Sequence, residues 1–244
     1  AAKRFVGETH ALQNKFPLER ANDKFESTEF QDIPHAPDIS PSDFYWHISS
    51  RPRGTAQTAD GWRTDHLKNI NIAPSEEEND PLWGIRQYSL TFASGQLPVS
   101  NEVYSWLSVG KLSAVEKKSA ADELDARPIV GMDVFRRIGM SVLLKKLKET
   151  IANYFGSRME FGSGVSAPCQ KLACLFKMKF ELNPKGLGFW QDLSNGFNAI
   201  SRKSIQRGLL DLPESLQWLR RSFEKFYHGQ ASLYFKREDG ELDE

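Results

Sequence analysis

Asp192 is the residue whose placement most suggests chemistry. It closes an apolar run, Leu187-Gly188-Phe189-Trp190-Gln191, and is followed by Asn195, Phe197, Asn198 and Arg202. A carboxylate at the end of a strand is held at a fixed edge of a sheet. There it offers the oxygen ligands that hard divalent cations require. The same aspartate would also serve as a turn or helix-cap residue. A second group lies upstream: Arg127-Pro128-Ile129, then Arg136-Arg137. A guanidinium grips phosphate oxygens in a bidentate fork, so Arg127 is a candidate phosphate clamp. The plainer role for Arg136, Arg137, Lys145, Lys146 and Lys148 is a solvated helix face. Phe197, likewise, would ordinarily be a core residue.

Taken together, the spacing of Asp192, Asn195, Phe197, Asn198 and Arg202 resembles the first catalytic motif of reverse-transcriptase palms. The variant is that of non-LTR (LINE-type) retrotransposons, Asp-x-x-Asn-Ala-Phe-Asn followed by Arg. Gly196 stands where that family usually has Ala, which loosens the backbone beside the site. Arg127-Pro128-Ile129 with its downstream arginines resembles the family's fingers motif. Weaker matches run in the same order. They are Arg53-Gly54-Thr55-Ala56 through His66-Leu67-Lys68, then Ser94-Gly95-Gln96-Leu97-Pro98, then Phe161-Gly162-Ser163-Gly164-Val165. The resemblance covers roughly residues 45–236.

The resemblance implies an incomplete right-hand polymerase fold of the α+β class, with helical fingers and a partial palm sheet. A lead-in would span 1–39, the fingers-like region 40–182, and the partial palm 183–244. Asp192 would be the catalytic and metal-binding residue. Arg127, Phe197, Lys117 and Lys118 would bind the incoming nucleotide, the Phe197 ring excluding a 2′ hydroxyl. Arg136, Arg137, Asn195 and Arg202 would contact nucleic acid. The complete enzyme would use magnesium or manganese, an RNA template, a DNA primer and deoxynucleoside triphosphates. The 244 residues contain neither a Gln-Gly nor an Asp-Asp dipeptide. The palm's remaining carboxylates are therefore missing, and this chain alone is expected to hold metal weakly and to be inactive. It reads as a fragment, starting at Ala1-Ala2 and ending in mid-pattern. The alternative is a non-enzymatic remnant, at most a weak nucleic-acid-binding or interaction module.

Composition constrains the partners less than the motifs do. Lys and Arg number 32, as do Asp and Glu, so net charge does not itself point to nucleic acid. Residues 127–158 are locally basic, with seven Lys/Arg against Asp133 and Glu149. The last nine residues reverse the sign, five acids against two bases. Sixteen Phe and six Trp provide for a substantial core. Two cysteines, Cys169 and Cys174, are too few for a disulfide framework and are not spaced as a zinc knuckle. The five histidines show no paired ligand spacing. No apolar run approaches the roughly eighteen residues of a membrane span, and no signal-peptide pattern opens the chain. An intracellular setting, nucleus or cytoplasm, is expected.

The elements that must position these residues follow from periodicity and punctuation. Ser40-Pro41-Ser42-Asp43 is a helix start, with Ser as cap and Pro in the first turn, and the helix should run to about Ser50. Helices are expected over Trp62–Ile70, from Pro81 to a stop at Gly95, and shortly after Pro98. Gly110–Lys118 and Ala126–Val130 read as strands. Asp133–Phe155 reads as the longest helix, with apolar residues at 135, 138, 142, 147, 151 and 154 and a cap at Gly156. A helix over Pro168–Glu181, a turn at Asn183–Gly186, a strand over Leu187–Asp192, a helix over Pro213–His228 and a strand over Gln230–Lys236 complete the pattern. It is α+β, without regular βαβ alternation.

Overall fold

The computed structural model describes residues 32–55, 58, 61–70, 81–117, 125–189, 191, 200–228, 233–236 and 242–243. The described chain is mixed α and β, mostly helical. It divides into two compact units, Ala1–Val142 with Asn195–Glu244, and Leu143–Ser194.

In the first unit, helix α1 (Pro41–Ser49) begins where its cap predicts: Ser40 Oγ accepts the Asp43 amide at 3.1 Å. That bond satisfies one of the helix's orphan N–H groups. Helix α2 (Thr64–Lys68) is shorter than the expected Trp62–Ile70. Helix α3 (Pro81–Ala93) ends in a turn whose Gly95 has φ +76°, a left-handed value that favours glycine. The Gly95 position also leaves no room for a side chain, since an added Cβ would meet the Arg221 carbonyl at 2.8 Å. Helix α4 (Asn101–Leu107) is capped by Ser100.

Strands β1 (Gly110–Lys117) and β2 (Asp125–Gly131) pair antiparallel, with Val115 across from Arg127 and Lys117 across from Asp125. Their sheet runs β2-β1-β3-β4, so β2 is an edge. Pro128 lies in that edge strand, the place in a sheet where proline is tolerated. β3 (Leu233–Lys236) joins β1 in parallel, and β4 (Leu242–Asp243) pairs back on β3.

The expected single helix over Asp133–Phe155 is two helices. Helix α5 (Val134–Lys146) and helix α6 (Lys148–Ser157) are separated at Leu147, whose φ −96° and ψ 11° leave helical values. The apolar pattern does not mark this break, since buried Leu143 and Leu147 are four residues apart and keep helical spacing. The unit boundary lies earlier, between Val142 and Leu143, inside α5. Gly156 is inside α6 and does not cap it.

Helix α7 (Pro168–Leu182) is the longest described helix, and the following turn closes through a Gly186 N–H bond to the Asn183 carbonyl at 2.9 Å. The strand expected over Leu187–Asp192 is not formed at its described residues, 187–189 and 191. Leu187 and Phe189 are 87% and 90% exposed. An apolar run becomes a strand only beside another strand, and the second unit has none among its described residues. Helix α8 (Arg202–Leu210), absent from the sequence-based expectation, is capped by Ser201 Oγ on the Ser204 amide at 3.1 Å. A 3₁₀ turn (Glu214–Leu216) leads into helix α9 (Trp218–Tyr227), together replacing the continuous helix expected over Pro213–His228.

The core of the first unit is aromatic. Phe92 of α3, Tyr104 of α4 and Phe226 of α9 have mutual ring-centroid distances of 5.3 to 5.8 Å. All three are buried, with Tyr88, Leu97, Val99 and Leu107 packed around them. Tilted and edge-on arrangements of this kind add about 0.5–1.5 kcal/mol per pair beyond area burial.

Candidate functional site

Asp192, Asn195, Phe197 and Lys118 lie outside the described residues. For Arg127 and Lys117 the backbone gives position: Arg127 is on edge strand β2, and Lys117 is the last residue of β1. The chain leaves β2 at Gly131 and enters α5 three residues later. Asp133 caps that helix, its Oδ1 accepting the Arg136 amide at 2.8 Å. The Arg-Pro-Ile segment and the Arg136-Arg137 pair thus sit on consecutive elements joined by a capped turn.

The two arginines then part. The Arg136 guanidinium lies 3.5 Å from the centroid of the Phe226 ring. Desolvation pulls its pKa below the ordinary arginine value, while the Tyr227 hydroxyl, by charge and hydrogen bond, and the Asp133 carboxylate oppose that fall. Arg202, first residue of α8, donates from Nη1 to the Tyr227 carbonyl at 3.0 Å. Tyr227 is the last residue of α9, so a cation meets the negative end of that helix. Helices α5, α8 and α9 therefore converge on Phe226-Tyr227 through Arg136 and Arg202.

Arg137 joins a different group. Its Nη2 donates to Thr64 Oγ1 on α2 at 3.3 Å. One turn along α5, Ser141 accepts from Arg51, whose Nη2 also sits 2.7 Å from His47 Nε2. Lys68, one turn along α2 from Thr64, donates to the Arg51 carbonyl. Burial, and then the nearby Arg137 charge, lower the Arg51 pKa. Asp65 follows Thr64 in α2; its Oδ2 accepts the Gly54 amide at 2.8 Å, and its buried Oδ1 has no hydrogen-bond partner among the described residues. Sequence reasoning did not single out Arg51, and it met Lys68 only inside a weak loop match. No local spacing marks the group, because it is assembled from three segments far apart in the chain.

Among the described residues, no three His, Cys, Asp or Glu come together as metal ligands. Asp192, an oxygen donor suited to magnesium, lies outside them. Cys169 and Cys174 are free and exposed. No helix among the described residues is long and apolar enough to cross a membrane. Comparison with protein-family models, curated proteins and solved structures finds no match.

Proposed function

We propose that this chain carries the fingers and first palm motif of an RNA-directed DNA polymerase of the non-LTR retrotransposon kind. The observation that carries the proposal is the register of Asp192, Asn195, Phe197, Asn198 and Arg202. Arg127, on a sheet-edge strand that feeds directly into a capped helix, supports it.

In the complete enzyme a primer 3′ hydroxyl attacks the α-phosphorus of a deoxynucleoside triphosphate, and pyrophosphate leaves. Magnesium, when bound, activates the attacking oxygen and stabilises charge on the phosphorus and leaving group. Asp192 would supply one of its carboxylate ligands. Arg127 would hold the triphosphate, assisted by Lys117 or Lys118, and Phe197 would lie under the sugar and reject a 2′ hydroxyl. With no Asp-Asp dipeptide in the 244 residues, a single motif aspartate does not hold two ions, so turnover by this chain alone is not expected.

Nucleotide selection provides the test. A fluorescent deoxynucleotide is bound in manganese and displaced with dATP or ATP. Wild type should release it more readily to dATP, and Phe197→Val should erase the difference. Arg127→Ala should weaken both about tenfold or more, since hydrogen bonds to charged groups are worth about 1.5–3 kcal/mol. Equal displacement by ATP and dATP in wild type, with no effect of either substitution, would reduce the chain to a non-enzymatic module.

A further inference from the structure

We propose that the cleft between helix α7 and the turn that follows it binds a short acyl chain ending in a carboxylate. The cleft lies wholly within the second unit, and its volume is about 280 Å³. At roughly 30 Å³ for a water-sized group, that is room for about nine of them, close to the size of octanoate. Leu172, Leu175, Phe176 and Phe180 of α7 form one wall, and Leu187 and Gly188 beyond the turn form the other. The Phe176 and Phe180 rings are stacked, with centroids 6.4 Å apart. A Cβ on Gly188 would stand 3.0 Å from Phe180 Cζ, so the returning chain passes close to that ring where it carries no side chain.

Among the described residues that line the cleft, only Lys179 is charged. It follows Phe176 by three residues, Leu175 by four and Leu172 by seven, the spacing of one helix face. The cation is therefore set within the apolar wall rather than on the polar side of α7. Glu181, the one acid of α7, pairs at 3.9 Å with Lys177, which lies about 200° round the helix from Lys179. Lys179 forms no ion pair among the described residues. Asn183, the other polar side chain of the lining, offers an amide donor.

An apolar cleft with one cation and one amide donor matches a ligand of the same make-up. The acyl chain covers the walls, and the carboxylate oxygens take the ammonium and the amide. Charge selects this occupant over a neutral one, and volume limits its length. A second copy of the chain docked by the same face would bring a second Lys179 to the same apolar surface, which is the wrong charge. The proposal is independent of the polymerase role.

The experiment is equilibrium dialysis of radiolabelled octanoate against the full chain, below the concentration at which octanoate forms micelles. One equivalent should bind saturably. Octanol, which has the chain without the charge, should compete about tenfold less well than unlabelled octanoate. Lys179→Gln should reduce octanoate binding to the octanol level, and Lys179→Arg should keep it. Lys177→Gln, on the far side of the helix, should bind as wild type. Leu175→Trp, which fills the cleft, should abolish binding of both ligands. Circular dichroism checks the helix content of each variant, and the comparison of octanoate with octanol on wild type needs no variant at all. No saturable octanoate binding, equal competition by octanol, or wild-type affinity in Lys179→Gln would each overturn the proposal. So would a dimer in sedimentation that Leu175→Trp breaks and octanoate does not, since a second copy would then cover the face.

Discussion

Arg136 and Arg137 are adjacent and chemically identical, and they do different things. Consecutive residues on a helix point about 100° apart. Arg136 therefore reaches the Phe226 ring, and Arg137 reaches Thr64. Tyr104 is the most consequential titratable residue of the aromatic core. It is fully buried, and its hydroxyl accepts the Leu97 amide at 2.8 Å. Burial pushes its pKa up to about 12, against the opposing pull of that hydrogen bond. An unfolded tyrosine ionises near pH 10. The neutral phenol thus contributes its full stability below about pH 10, and that contribution is lost as pH rises towards about 12. Urea melts should show stability falling across that window in wild type and falling less in Tyr104→Phe. Identical pH profiles for the two proteins would show that Tyr104 does not control alkaline unfolding. At this scale the sequence was legible in residue type and blind to direction, because one position along a helix decides whether an arginine meets a ring or a hydroxyl.

Elements with local signals were readable. The Ser40 cap, the Gly95 stop and the β1–β2 pair stand where punctuation and alternation put them. Elements that depend on a partner were not. Leu187-Gly188-Phe189 has the composition of a strand but no strand beside it among the described residues of its unit. Helix α8 has a Ser201 cap, but Ser204 in its first turn and Gly208 inside it are poor helix formers that mask the element in the sequence. Among the described glycines, Gly139 of α5 leaves the least room for a side chain. A Cβ there would stand 2.1 Å from the Ser89 carbonyl oxygen and 2.9 Å from the Ala93 Cβ, both on α3. Backbone cannot yield as a flexible side chain can, so Gly139→Ala should force α3 and α5 apart. The expected loss is about 1–3 kcal/mol, the usual cost of overpacking, read from the urea midpoint. A midpoint unchanged from wild type would mean that the helices separate without cost.

At the scale of the molecule, the two units differ in how they are held. The first has its aromatic core and most of the buried residues. In the second, α6 and α7 have no buried residue, and Leu182, Leu187 and Phe189 are at least 80% exposed. Segments with few buried contacts open locally at low free energy. Hydrogen exchange should therefore be fast across α6 and α7 and slow across α3 and α9. Uniform protection would contradict this division. The proposed polymerase role rests on the spacing of a few polar and aromatic residues. The Arg51–Lys68–Arg137 group was not legible in the sequence, since only tertiary packing assembles it. The most direct test of the central claim is photolabelling with an azido-deoxynucleotide in manganese and a primer–template, mapped by mass spectrometry. We expect label on the peptides that contain Arg127 and Phe197, competed better by dNTP than by rNTP and diminished in Asp192→Asn. Label confined to other peptides, or unaffected by competitor and by that substitution, would contradict it.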